Sequence, residues 1–254
     1  MIDFTFQPPE KFLLGKTILV TGASDGIGRA CACSLAEQGA NLVLLGRNIG
    51  KLESLFDDLE QRHPGRAVIQ PLDYKQAAEE SYKELADSFM AQFDSLDGMI
   101  HCAGELGARA PIQFYPSAVW RDVFEVNVHA AFELTKAFMP ALQASNDARL
   151  IFLSSSVGRL GRAHWGAYSA SKFALEGMVQ ILADELGNTS QVTVTSLNPG
   201  GTRTAMRRAA YPAENPDAVP AAEELMPVFL YLFSEAGKAF HGKAVDARGF
   251  NPTA

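Results

Sequence analysis

Three kinds of pattern are scarce in this chain, and each shortage removes a class of protein. Cysteine comes first, with three in 254 residues. Cys31 and Cys33 stand two apart in a segment of helical period, so their side chains point to opposite faces and cannot pair. Cys102 stands alone. With no disulfide framework, the expectation is a reduced, cytoplasmic protein. Long apolar runs are also missing. The longest, residues 227–233 (PVFLYLF), falls far short of the ~20 residues that span a bilayer. The opening MIDFTFQPPEKFLLGK lacks the basic start and apolar core of a secretion signal, so a soluble protein with no membrane partner is expected. Clustered positive charge is the third absence: 22 Lys and Arg against 29 Asp and Glu leave a net charge of −7 with no basic stretch. That argues against nucleic acid or an anionic membrane as a partner. His63, His101, His129, His164 and His241 stand at no metal-ligand spacing to cysteines or carboxylates, so no metal is expected.

What the chain does contain is a regular alternation. Short apolar runs rich in β-branched residues (17–20, 41–45, 67–70, 98–101, 150–153, 192–197 and 243–246) are separated by segments of helical period. The helical segments are 27–38, 51–61, 76–93, a long one at about 117–144, 168–186 and 222–233. Such βαβα order implies an α/β protein with a doubly wound parallel sheet of about seven strands and helices on both faces. No linker or repeat interrupts it, so residues 1–254 are expected to form a single domain. A chain of this length buries roughly three-quarters of its unfolded surface without staples. The Pro- and Ala-rich stretch 209–222 reads as part of a mobile loop at about 201–222 that covers the substrate.

The first strand runs into Thr21-Gly22-Ala23-Ser24-Asp25-Gly26-Ile27-Gly28 and then directly into a helix. Glycine lets the backbone turn sharply and lie against a pyrophosphate, while the helix N-terminus offers free N–H groups and a positive dipole end. In the strand–turn–helix context this is a dinucleotide-binding fingerprint. After the second strand, where a carboxylate would bind the ribose hydroxyl of NAD, the chain has Gly46-Arg47-Asn48. Arg47 either forks onto a 2′-phosphate or stands as a solvated loop cation, and Asp25 nearby would repel that phosphate. The missing carboxylate favours NADP(H), and NAD(H) stays open.

Tyr168 and Lys172 are four apart on a predicted helix and share a face. A lysine cation beside a phenol, helped by an oxidised nicotinamide, is expected to lower the tyrosine pKa and tune it for general acid/base work. Ser155 falls at the C-terminal end of the preceding strand, where ligands of open parallel sheets bind and where a hydroxyl can polarise a carbonyl. Asn127 lies in mid-helix among apolar neighbours, as a satisfied core amide or as a functional one.

Together these residues resemble the short-chain dehydrogenase/reductase family over nearly the whole chain. Thr21–Gly28, Asp73 after the third strand, Asn127, Ser155, Tyr168, Lys172 and Pro199-Gly200 all occur in the family's order and spacing, most similar to its YciK-like bacterial branch. The resemblance implies a Rossmann-type fold and reversible carbonyl reduction. In it Tyr168 exchanges the proton, Ser155 polarises the carbonyl, and Lys172 holds the nicotinamide ribose. Asn127 anchors a relay water through a distortion of its helix. Asp73 caps the adenine, Ala103 and Gly104 follow the fourth strand, and Pro199, Gly200, Thr202 and Thr204 face the nicotinamide amide. A homo-oligomer, dimer or tetramer, packed through residues 117–144 and 168–186 is also implied. One position departs: where the family has Asn-Ala-Gly, this chain has Cys102-Ala103-Gly104, and a modest stability loss is expected there.

Two matters stay open at this level. Trp165 either walls the substrate pocket or simply packs, and Arg203, Arg207 and Arg208 either read a substrate anion or form a solvated face, the second being the commoner case. The alternative to an enzyme is a catalytically silent cofactor-binding regulator or scaffold, since fold does not imply function. An epimerase would need more chain after Pro199 than is present. The substrate itself, beyond a small carbonyl/alcohol pair, is not readable.

Overall fold

A computed structural model describes residues 4–187 and 189–252. Residues 1–3, 188, 253 and 254 of the expected 1–254 domain lie outside the described residues. Seven parallel strands form one sheet: β1 (Thr17–Thr21), β2 (Asn41–Gly46), β3 (Ala67–Pro71), β4 (Gly98–His101), β5 (Ala148–Leu153), β6 (Val192–Asn198) and β7 (Ala244–Asp246), in the order β3-β2-β1-β4-β5-β6-β7. The apolar runs are continuous rather than alternating because both faces are covered. Ile18, Leu19 and Val20 are consecutive in β1 and all fully buried.

Side chains of opposite parity feed two cores. Ile18 and Val20 face one that holds α1 (Gly26–Glu37), α2 (Ile49–Arg62) and α8 (Met226–Phe233). Leu19 faces the other, which holds α3 (Glu79–Met90), α5 (Ala130–Ala144) and α6 (Gly166–Leu186). Strand order reverses between β1 and β4, and at such a switch point the loops diverge and leave a crevice at the carboxyl ends of the strands.

Three predicted helices differ in their limits. The segment at 117–144 is α4 (Ser117–Phe124), a π-helical turn (Glu125–His129) and α5, because Asn127 is drawn into hydrogen bonds beyond its own helix. The segment 222–233 opens as a 3₁₀ turn (Ala222–Leu225) before α8, whose second residue, Pro227, lacks the N–H that a continuous helix would use. The segment 76–93 is helical only over α3, since Gln76 and Ala77 donate back to the Asp73 carbonyl in a tight turn. The segment 201–222, expected to cover the substrate, holds a short helix, α7 (Ala205–Ala210), capped by the Thr204 hydroxyl, which accepts from the Arg207 N–H at 3.1 Å. Among the described residues no helix is long and apolar enough to cross a membrane.

Candidate active site

A cleft of about 610 Å³ opens at the β1/β4 switch point. Every site residue expected from the sequence lines it except Asn127, which stands just behind the wall. The turn after β1 is tight. Gly22 has φ +62°, and a Cβ there would lie 2.8 Å from the Ala103 backbone, while one on Gly28 would lie 2.3 Å from the Gly22 carbonyl. Bare backbone is therefore needed both where β1 meets β4 and where α1 docks on the turn. Asp25 caps α1, accepting from the Gly26 N–H at 2.7 Å. Lys51 pairs with that carboxylate and holds its pKa below the usual range. The repulsion expected of Asp25 is thus compensated by Lys51, a cation that sequence reading missed because its partner lies 26 positions earlier.

Arg47 follows β2 at the lip of the cleft, beside Ser24, Asn48 and Lys51. It is exposed, and among the described residues its guanidinium has no hydrogen-bond or ion-pair partner. On the far side Asp73 accepts from the Lys75 N–H at 3.2 Å. Gly200 donates its N–H to Asn198 Oδ1 at 3.0 Å, and Thr202 and Thr204 continue that edge. Such a set fits a dinucleotide phosphate: glycines that only bare backbone can occupy, a helix N-terminus where Asp25 takes only the Gly26 N–H, and a guanidinium unpaired among the described residues.

The end of the cleft where the sequence places the reacting groups is built by β5 and α6. Lys172 is buried and donates from Nζ to the Leu153 carbonyl at 2.7 Å, and Nζ lies 5.7 Å from the centre of the Tyr168 ring. Burial pushes the ammonium down to about 8. The expected lowering of Tyr168 is not found in the protein alone. Burial pushes its phenol up to about 12, against the opposing hydrogen bond with Ser155. Desolvation of the ring outweighs the partners present, because a phenolate would be stripped of water. Ser155 caps a 3₁₀ turn (Ser156–Gly158) that packs against α6. Beside it, Ser154 Oγ is buried in the cleft wall with no hydrogen-bond partner among the described residues.

Asn127 is fully buried. Its Oδ1 accepts from the Glu105 N–H at 2.7 Å, and its Nδ2 donates to the Glu105 carbonyl at 3.0 Å and to Ser171 Oγ at 2.9 Å. Ser171 in turn donates to the Tyr168 carbonyl at 2.8 Å. Both amide donors are therefore consumed in tying the loop after β4 to α6, and a relay water would have to use the main-chain carbonyl instead. Lys75 reinforces this loop, bridging Glu105 at 2.9 Å and Asp122 at 3.0 Å.

His101 is structural: stacked on Phe152 at 4.6 Å, 3.0 Å from Thr135 Oγ1, and pushed by burial to about 3, it stays neutral. Trp165 does both things its position allowed, lining the cleft and packing on Tyr168 at 5.8 Å. The arginine cluster is mostly paired. Arg207 is held by two Glu214 oxygens at 2.6 Å, and Arg203 by Asp217 at 3.1 Å.

Cys102 sits against the apolar cluster that includes buried Cys31. The strand end beside it is already ordered, since Thr21 Oγ1 accepts from the Ala103 N–H at 3.0 Å. An amide at position 102 would press a polar group on that cluster. Contrary to the expectation from sequence, Cys102→Asn should melt at or below the wild-type temperature in a thermal scan. A clear rise would restore the view that asparagine is the better residue here.

A short chain dehydrogenase family model matches residues 16–215. The chain is 43% identical over 243 residues to the oxidoreductase YciK of Escherichia coli K12, with 96% of each chain covered. A short chain dehydrogenase from Pseudomonas syringae is 44% identical with a TM-score of 0.94, over 96% of this chain and 99% of that one. Two similar structures were solved with cofactor. One, from Shigella flexneri 2a, was complexed with NADP (43% identity, TM-score 0.91, 94% of this chain and 99% of that one), and one, from Escherichia coli CFT073, with NADPH (44%, 0.90, 94% and 99%). With the sheet order, the glycine turn and the Ser155, Tyr168 and Lys172 cluster already in place, the chain belongs to the short-chain dehydrogenase/reductase family.

Proposed function

We propose that this protein is an NADP(H)-dependent oxidoreductase that interconverts a carbonyl and a secondary alcohol, with Tyr168 as the general acid/base. The observation that carries the reading is the meeting of Ser155, Tyr168 and Lys172 in one cleft whose other end is the glycine turn with Arg47 open beside it. A bound nicotinamide would supply or accept the hydride. Ser155 donates a hydrogen bond to the carbonyl oxygen, and Tyr168, held protonated by burial, delivers the proton as charge builds there. Lys172 is anchored on the Leu153 carbonyl within reach of both the ring and the floor of the cleft. Asn127 acts through Glu105 and Ser171 to hold the two walls together. The site sits on a single nucleotide-binding domain, with residues 201–222 as its substrate cover.

Three further features complete the proposal. NADP(H) rather than NAD(H) is supported by the unpaired Arg47, by the absence of a carboxylate at the end of β2, and by the cofactors of the two similar structures. The three thiols are unpaired, which suits the cytoplasm. Phe132 on α5 and Phe173 and Ile181 on α6 are exposed, which supports these helices as the subunit contact of a homo-oligomer.

Titration with NADPH and NADH, followed by nicotinamide fluorescence, tests the cofactor assignment. NADPH is expected to bind the tighter. Arg47→Ala is expected to weaken NADPH roughly tenfold or more, towards its affinity for NADH, as a charge-assisted phosphate contact is lost. Equal binding of the two cofactors by the wild type removes Arg47 as the phosphate reader. Binding of neither removes the enzyme.

A further inference from the structure

Beyond Tyr168 the cleft changes character. Val157, Trp165 and Tyr168 form an apolar and aromatic cluster with Leu106, Met206 and Tyr211 packed against it. Three guanidinium groups surround that wall, and their states differ. Arg207 lies 3.8 Å over the Tyr211 ring, and Glu214 cancels its charge. Arg109 lies 4.1 Å over Trp165 and 5.5 Å over Tyr211 and donates to the Ala210 carbonyl at 3.0 Å, so it clasps the loop after β4 to α7. It meets no carboxylate among the described residues. Arg162, in the turn just before Trp165, lines the cleft, and among the described residues its side chain has no hydrogen bond, ion pair or ring contact.

The acidic groups of the cleft do not answer these charges. Asp25 is paired with Lys51 at the glycine turn, Glu105 with Lys75, and Asp73 belongs to the loop after β3. The substrate half therefore combines a ring-lined wall with two uncompensated guanidiniums, one of them free to fork onto an anion. A planar, five-donor group beside an aromatic wall matches a carboxylate carried on an apolar body.

We propose that this half of the cleft takes an aromatic or extended apolar carbonyl compound bearing a carboxylate, its body against Trp165 and Tyr211 and its carboxylate on Arg162. Arg109 braces the wall from behind and adds positive potential. Arg203, Arg207 and Arg208, the cations that sequence pattern singled out, are not the readers. The carbonyl part of this assignment rests on the oxidoreductase reading, whereas the carboxylate part stands on the charges alone.

Two acids serve as probes, para-formylbenzoate and its biphenyl homologue, each compared with its methyl ester. Calorimetric titration of the full chain, with and without NADP⁺, reads binding, and NADPH oxidation reads turnover. At least one acid is expected to bind roughly tenfold tighter than its ester, the scale of one charge-assisted contact. Arg162→Gln is expected to bring the acid down to the affinity of the ester, and Arg162→Lys to recover part of the difference. Acid and ester binding alike, neither binding, or Arg162→Gln weakening both equally would overturn the proposal. Turnover separates the two readings. Esters reduced with no acid preference sink the substrate class and keep the carbonyl chemistry, whereas acid preference in binding without any turnover keeps the carboxylate site and sinks the chemistry.

Discussion

Tyr168→Phe is expected to lower kcat for carbonyl reduction about 10²- to 10⁴-fold, the range that general acid catalysis spans. The ring stays, so its packing on Trp165 and Val157 stays too, and the melting temperature should hold. Only the proton donor is removed. The wild-type pH profile should match this role. With its phenol at about 12, Tyr168 remains protonated across neutrality and is ready as an acid. Lys172, at about 8, loses its charge first, so reduction should be level up to about pH 8 and fall above it. Alcohol oxidation needs the phenolate and should rise with pH. The stability linkage runs in the other sense. Between about pH 8 and the ordinary lysine value of 10.5, the unfolded chain binds a proton that buried Lys172 does not, so the cost of burying that ammonium fades as pH rises. Steady-state kinetics of the variant over a pH series checks this. A Tyr168→Phe variant with kcat within a few-fold of wild type would remove Tyr168 as the acid.

Asn127→Leu should produce the largest loss of stability, about 3 kcal/mol or more. The substitution leaves the part-buried Glu105 N–H and carbonyl without their partner and takes one of two partners from the Ser171 hydroxyl, which keeps the Tyr168 carbonyl, and each unsatisfied buried group costs about 1–3 kcal/mol. For a chain of this size that corresponds to a fall in Tm of about 6–12 °C. Activity should fall with it, because Gly104, Glu105 and Leu106 line the cleft and this side chain holds the middle one, Glu105, by both its N–H and its carbonyl. Calorimetry and kcat measured on the same preparation separate two roles. Loss of turnover with an unchanged Tm would mean that the Asn127 side chain serves turnover directly and is not the clamp between the loop after β4 and α6.

The glycine turn, the serine at a strand end and the tyrosine–lysine pair were legible because each depends on local geometry: a turn that excludes Cβ, a strand terminus, a four-residue helical spacing. Asn127 was legible as an unusual buried amide, but its partners were not, since Glu105 and Ser171 lie 22 and 44 positions away. Lys51 and Arg162 were overlooked for opposite reasons. One gains its meaning from a carboxylate far off in the chain, and the other from having no partner at all among the described residues. The arginine cluster, read from sequence more readily as a solvated face than as an anion reader, has Arg203 and Arg207 paired with Asp217 and Glu214, partners that charge pattern alone does not name.

The alternation of β-branched runs and helical periods was enough, by itself, to determine a parallel doubly wound sheet, and with the motifs in register it determined the family. Both rest on short-range sterics and on the burial of repeating faces, which are written position by position. Tertiary structure decided what those positions do to one another. It set the phenol high and the ammonium low by taking both from water, spent the side-chain amide of Asn127 on Glu105 and Ser171, and left Arg47 and Arg162 without a side-chain partner among the described residues at the two ends of the cleft. Desolvation and pairing depend on which residues meet across the fold, and that is not a property of any local window of sequence.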